Sequence, residues 1–265
     1  MLKIVVFDGG RGGEVVAKYL QEELQVVEVM QVIDWENAPY EDKRLDEICM
    51  LANSLLRQYI GKVDLIVLGG YMAALALDYL QEQYPKQKIV GVGINYFRVL
   101  NGATYPDRVT VMMNQALMET KLCEDMRDNL PYSAISVPDS SGWENLANEG
   151  KLSYEVLLAE LAPYFHTAKQ PSAINKTDQN RPLAEVILDK KDRLSYASGT
   201  TEVWPPEKKL HSDVVLILNT NFWEIRSAFE EVFGYRVKVM DFRKKLLHDV
   251  CIALNLLGAD GERSK

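Results

Sequence analysis

The sequence predicts an α/β protein built from doubly wound units with mainly parallel sheets. Three observations predict it. Short β-branched, continuously apolar runs recur along the chain, the form strands take when helices cover both faces of a sheet. Amphipathic helical patterns alternate with those runs. The alternation pauses once, over residues 95–107, where Gly102 and Pro106 stand as in a linker before a second run of units begins.

In chain order, strands are expected at 3–7, 26–33, 64–68, 88–92, 108–113, 132–137, 213–218 and 236–240. Helices are expected at 13–25, 44–59, 72–83, 116–129, 152–163, 221–233 and 242–257. In the second of these, Leu45, Ile48, Cys49, Ala52, Leu55, Leu56 and Tyr59 form one apolar stripe, which makes Cys49 an inert core thiol. Tyr84-Pro85 and Gly234 are stop signals. Residues 166–212 break the rhythm with Pro, Lys, Asn, Thr and Ser; within them 185–188 and 193–196 could pair as a hairpin. An irregular insertion of that length is either disordered or a functional flap.

Composition narrows the function classes. A 265-residue chain with 47% hydrophobic and 26% charged residues can bury a large core, which argues against global disorder. A net charge of −8 gives no general case for nucleic acid or an anionic membrane as partner. Cys49, Cys123 and Cys251 are far apart and odd in number, and His166, His211 and His248 lack ligand spacing, so neither a disulfide framework nor a metal site is expected. The short apolar N-terminus has no signal-peptide pattern, and a cytoplasmic location follows as the default expectation.

Four strings could carry chemistry, each at the end of a strand. Asp8 precedes Gly9-Gly10-Arg11-Gly12-Gly13, where glycines permit a tight turn and leave N–H groups at a helix start free for an anion. Neither a dinucleotide fingerprint nor a phosphate loop fits, because Val15 takes the third glycine position and no Lys-Ser/Thr follows. Asp34…Pro39-Tyr40-Glu41 follows the second strand, Gly69-Gly70-Tyr71-Met72 the third, and Asn219-Thr220-Asn221-Phe222 the seventh.

These strings resemble those of the cofactor-independent glutamate racemases of the Asp/Glu racemase family. The match covers roughly residues 1–165 and 213–257. The family's Asp-Ser-Gly-x-Gly-Gly is met by Asp8, Gly10, Gly12 and Gly13, with Gly9 in place of the serine and Arg11 an added cation. Its Asp-x-x-x-x-Pro-Tyr-Gly loop is met by Asp34, Pro39 and Tyr40, with Glu41 for the glycine. The family's first catalytic cysteine falls at Gly70 and its second at Asn219, with Thr220 retained and Asn221 where a histidine would stand. Asn114 and Leu117 replace two threonines, and Tyr71 and Met72 a small polar pair. Phe222-Trp223 replaces Tyr-Pro, in the cleft or in the core.

The resemblance implies two facing domains, 1–95 with 241–265 and 96–240, and an interdomain cleft for a small anionic carboxylate ligand. It implies no cofactor, and a homodimer as the prior for assembly. Ligand-binding positions would be Asp8, Gly9, Gly10, Arg11, Pro39, Tyr40, Gly70, Tyr71, Met72, Asn114, Asn219, Thr220 and Asn221. Deprotonating an amino-acid α-carbon without a cofactor needs a base on each face. Glycine has none and an amide is not a useful one, so two-thiol racemisation cannot run through Gly70 and Asn219. Asp8 and Tyr71 are the remaining candidate catalytic groups, and the phenol of Tyr71 is the poorer base. The leading expectation is a racemase-like protein that has lost racemase activity and kept its ligand cleft. The alternatives are an isomerase or lyase of altered chemistry, and an interaction module that uses the insertion.

Overall fold

The computed structural model describes residues 1–93, 109–118, 120, 135–137, 143, 146, 149, 151, 153, 155–157, 202–203, 214–233 and 237–257. In chain order the elements are β1 (Leu2–Asp8), α1 (Arg11–Glu23), β2 (Val27–Ile33), a 3₁₀ turn at Tyr40–Asp42, α2 (Leu45–Leu56), β3 (Leu65–Leu68), α3 (Tyr71–Ala74), α4 (Leu77–Gln83) and β4 (Ile89–Gly91). There follow β5 (Val109–Met112), α5 (Gln115–Met118), β6 (Ile135–Val137), β7 (Glu202–Val203), β8 (Val214–Ile217), a second 3₁₀ turn at Thr220–Trp223, α6 (Arg226–Phe233), β9 (Lys238–Met240) and α7 (Arg243–Ala253). The chain divides into two units. The first is Met1–Phe97, Asn219–Asn221 and Phe242–Lys265; the second is Arg98–Leu218 and Phe222–Asp241.

The first unit holds a parallel sheet of order β2-β1-β3-β4. Ile4 to Phe7 and Leu65 to Leu68 are fully buried, as expected of central strands covered on both faces. Both edges are guarded by glutamines. The Gln21 amide donates to the Val27 carbonyl and accepts from the Val29 N–H, each at 3.2 Å, and Gln81 donates to the Ile89 carbonyl at 3.0 Å. Groups that would otherwise template a further strand are thereby occupied. Lys88 closes the end of α7, its ammonium donating to the Ala253 carbonyl at 2.5 Å, where a cation suits the negative end of the helix.

The second unit holds a parallel sheet of order β7-β6-β5-β8-β9. Phe222 packs in its core, with ring centroids 6.4 Å from Trp143 and 5.6 Å from Phe229. Arg226 ties α6 to the end of β9. It pairs with Asp241 at 3.0 Å and donates to the Val239 carbonyl at 2.8 Å. Its guanidinium is held above its ordinary range because the bonds to Glu230 and Asp241 outweigh burial.

Apart from β7, the described strands fall where the apolar runs predict them, within two or three residues at their ends. Three differences have local causes. The 72–83 helix is two helices, because Leu75 and Ala76 donate to carbonyls only three residues back and tighten the joint. Helix α1 begins at Arg11 rather than 13, with Gly10 extended at its N-cap. Glu202–Val203, inside the stretch read as irregular, forms an edge strand on β6. The 95–107 linker, the 185–196 hairpin, Cys123, His166 and His211 lie outside the described residues. No helix among the described residues is long and apolar enough to cross a membrane.

Candidate functional site

In the first sheet the chain leaves β1 toward β2 on one side, while β3 and β4 lie on the other. The carboxyl ends of β1 and β3 therefore flank a topological switch point, where open parallel sheets bind ligands. Asp8 is the last residue of β1, and Gly69 and Gly70 follow β3, with the Gly69 N–H donating to the Phe7 carbonyl at 2.8 Å.

Asp8 is 6% exposed and enclosed by glycine. A Cβ on Gly70 would lie 2.6 Å from the Asp8 Cγ and from its Oδ2, so the carboxyl fills the space where any residue-70 side chain must start. A Cβ on Gly13 would meet the Asp8 Cβ at 2.5 Å, and one on Gly12 would meet the Asp8 Oδ2 at 3.0 Å. The Gly9 N–H donates to the Asp8 Oδ1 at 2.8 Å. Burial pushes this carboxyl up to about 8; the charge of Glu41 adds to the shift, and the Gly9 and Gly13 N–H groups oppose it.

Thr220 approaches the same place. Its Oγ1 also lies against the point where a Gly12 Cβ would be, which gathers the hydroxyl, the Asp8 Oδ2 and the first turn of α1 around one spot. Thr220 is 3% exposed, and its hydroxyl has no hydrogen-bond partner among the described residues. Asn219–Asn221 follow β8 in sequence but group with the first unit. The Asn219 Oδ1 accepts from the Asn221 N–H at 3.0 Å, a local turn made by a side chain.

The Asp34–Tyr40 loop holds the floor from another side. The Tyr40 hydroxyl donates to the Asp34 Oδ2 at 2.8 Å, and the Asn37 amide donates to both Asp34 oxygens at 2.9 and 3.1 Å. The Tyr40 ring covers Gly9, where a Cβ would come within 2.7 Å of its Cε1. Gly9 thus has a steric reason: the serine that the resemblance expects would strike the ring. Burial and then Asp34 drive the Tyr40 phenol far above its ordinary range. Tyr71 is buried with its ring over Gly93, whose φ of +80° already demands glycine. Met72 is buried, Pro39 is exposed and Arg11 is half-buried at the head of α1.

The second unit has its own switch point, between β5 and β8. Asn114 follows β5, and its Oδ1 accepts from the Leu117 N–H at 2.8 Å, which makes it the cap of α5. Asp8, Gly9, Gly12, Gly13, Tyr40, Gly70 and Thr220 thus converge in the first unit, while Asn114 belongs to the second. Sequence reading missed Asn37 and Gly93. The first had a signal, the Asp-x-x-Asn spacing of a side-chain turn; the second needs the fold.

Two surface concavities lie elsewhere in the first unit. One of about 620 Å³ is lined by Arg44, Leu45, Asp46, Cys49, Met50 and Tyr79. Another of about 310 Å³ lies among α1, α7 and the residues after α7, with Glu23, Lys244 and His248 on its wall. Neither includes Asp8 or Thr220. Burial and then Asp46 raise the Cys49 thiol, in keeping with an inert core cysteine. Among the described residues no three His, Cys, Asp or Glu side chains group to hold a metal ion.

No protein-family model and no curated protein matches this chain. Solved structures do match. The chain is similar to the Escherichia coli glutamate racemase in complex with L-glutamate and the activator UDP-MurNAc-ala, with a TM-score of 0.67 and 16% identity over 100% of this chain and 86% of that one. Glutamate racemase from Campylobacter jejuni matches with a TM-score of 0.64 and 18% identity, over 100% and 90%. The Thermus thermophilus enzyme in complex with β-chloro-D-alanine matches at 0.62 and 18%, over 98% and 84%. At these identities the likeness shows the fold: a glutamate racemase-like α/β architecture with parallel sheets.

Proposed function

We propose that this chain is a glutamate racemase-fold protein that does not racemise through paired thiols, and that it binds a small carboxylate at the carboxyl ends of β1 and β3. One observation carries the reading: the Asp8 carboxyl fills the space where a residue-70 side chain would begin. The resemblance assigns the first thiol to that position, so a thiol and this carboxyl compete for the same volume. The position assigned to the second thiol is Asn219, whose side-chain oxygen is spent on a local turn.

The ligand side rests on donors. The head of α1 carries the positive end of the helix dipole; in its first turn the Gly13 N–H is already engaged by the Gly10 carbonyl at 3.2 Å and by the Asp8 carboxyl. The Thr220 hydroxyl beside Gly12 adds a buried donor with no other partner among the described residues. A carboxylate satisfies both. The structural neighbour solved with L-glutamate makes small amino and dicarboxylic acids the first class to try.

The test is a thermal-shift panel at pH 7 with acetate, succinate and both enantiomers of glutamate and aspartate, with polarimetry on the amino acids. At least one carboxylate should raise the melting temperature, Thr220→Val should blunt that rise, and no racemisation should follow. Turnover at ordinary enzyme rates, about 1 s⁻¹ or more, would overturn the catalytic half. A flat panel would overturn the binding half. A second reading has one observation in its favour: a carboxyl pushed up to about 8 is tuned for proton transfer near neutrality. Asp8-dependent exchange of a substrate C–H proton in D₂O, followed by NMR, would make Asp8 a catalytic acid–base group instead.

A further inference from the structure

We propose that Asp8 meets the ligand's carboxylate as a neutral carboxylic acid, the two groups sharing the Asp8 proton, so that binding requires that proton. The inference rests on the carboxylate-binding reading above and adds its regulation. Its first ground is enclosure. Asp8 is surrounded by positions 9, 12, 13 and 70, all glycine, and its Oδ2 converges with the Thr220 hydroxyl on the point where Gly12 lacks a side chain. A ligand that reaches Thr220 and the first turn of α1 therefore also reaches Asp8.

The second ground is charge. Two ionised carboxylates side by side in a buried site repel, whereas one shared proton turns the pair into a short, charge-assisted hydrogen bond. Among the described residues, the charged group that raises the Asp8 carboxyl is Glu41, of the same sign. The titratable and charged groups around it can be named element by element. The 3₁₀ turn after β2 brings Tyr40 and Glu41, and the loop before it brings Asp34, whose N–H donates to the Asp8 carbonyl at 2.9 Å. Arg11 stands at the head of α1 and Tyr71 follows Gly70, with its ring over Gly93. Asn219–Asn221 bring no titratable side chain. Tyr40 is driven too far up to lose its proton over the range where Asp8 would.

The sign follows directly. While Asp8 holds its proton, affinity is flat with pH. Once Asp8 ionises in the free protein, binding must first restore the proton, and affinity falls about tenfold for each further pH unit. With that carboxyl pushed up to about 8, the break belongs there.

The experiment is calorimetric titration of the full chain with acetate and with succinate, both ionised over the range used, at pH 6.5 and pH 9.5. Binding should be about thirtyfold weaker at the higher pH. At pH 9.5 each ligand bound should take up close to one proton, read from the heats in two buffers of different ionisation enthalpy. This arm needs only the unaltered protein. In the second arm, Asp8→Asn should bind with the same affinity at both pH values, whatever that affinity is. Equal wild-type affinities without proton uptake would overturn this inference and leave the carboxylate reading standing. Wild-type pH dependence in Asp8→Asn would overturn it too. If neither probe binds at pH 6.5, the carboxylate reading itself fails and takes this inference with it.

Discussion

Between β1 and β3 the switch point of the first unit is bare backbone, four glycines whose missing side chains make room for Asp8, Tyr40 and Thr220. After β5 and β8, the strands at the corresponding point of the second sheet, the chain continues with Asn114 and, grouped with the first unit, Asn219, and each turns its oxygen onto a backbone N–H two or three residues ahead. The winding is the same and the use is different. In one case large groups move in over glycine and a titratable carboxyl is enclosed at the end of a strand. In the other, side chains that could have met a ligand are committed to shaping turns. An amide oxygen that caps a helix satisfies an orphan donor and accepts no substrate proton. Among the described residues, the first of these switch points holds a carboxyl pushed up to about 8, which can change charge near neutrality.

The sharpest way to break that comparison is to place a thiol at position 70. Gly70→Cys drives a Cβ into the Asp8 carboxyl, and overpacking of this kind costs about 2–3 kcal/mol, read as a lower midpoint in denaturant. Racemase activity should not appear. Gly70→Cys with Asp8→Ala should recover most of the loss, because one side chain vacates the volume that the other takes, giving a coupling energy of about 1 kcal/mol or more. If Gly70→Cys alone is as stable as the wild type, the carboxyl does not fill that space and the contrast between the two sheets fails.

The second sheet's half is tested by Asn114→Ala, which should cost about 1 kcal/mol through loss of the cap on α5, whereas Asn114→Asp should cost much less. The carboxylate-induced rise in melting temperature should be the same in both variants as in the wild type. A variant that keeps its stability and loses the ligand response would make Asn114 a ligand contact, as the family resemblance expects.

The fold was more legible in the sequence than the site. Parallel strands covered on both faces leave continuous apolar runs, so 3–7 and 64–68 announce themselves. A two-residue edge strand such as Glu202–Val203 leaves no pattern to count, and the i+3 bonds that split 72–83 into α3 and α4 are invisible in a run of good helix formers. Asp8 and its glycines read as a strand-end motif, and Asn114 before a helical start carries the composition of a cap. The occupant of a glycine's empty space is another matter. Position 70 is brought to Asp8 by β1–β3 pairing, position 9 to Tyr40 by the Asp34 loop, and position 12 to Thr220 across more than two hundred residues. Such contacts are set by topology, so the resemblance could align a thiol position with Gly70 while the carboxyl that fills the space there was not readable.

The smallest expected effect separates shape from hydrogen bonding at the first switch point. Tyr40→Phe removes the bond to the Asp34 Oδ2 but keeps the ring that covers Gly9. Asp34 is not left bare, since Asn37 still donates to both of its oxygens. The cost should therefore sit at the low end for a buried hydrogen bond, about 0.5–1 kcal/mol, and the carboxylate response should persist. Tyr40→Ala is the instructive partner: it removes the ring as well, and the site should lose its ligand response along with stability. If Tyr40→Phe alone abolishes that response, the hydroxyl and not the ring governs the site. The first switch point would then depend on a committed polar side chain, as the second does, and the difference between them would shrink to Asp8.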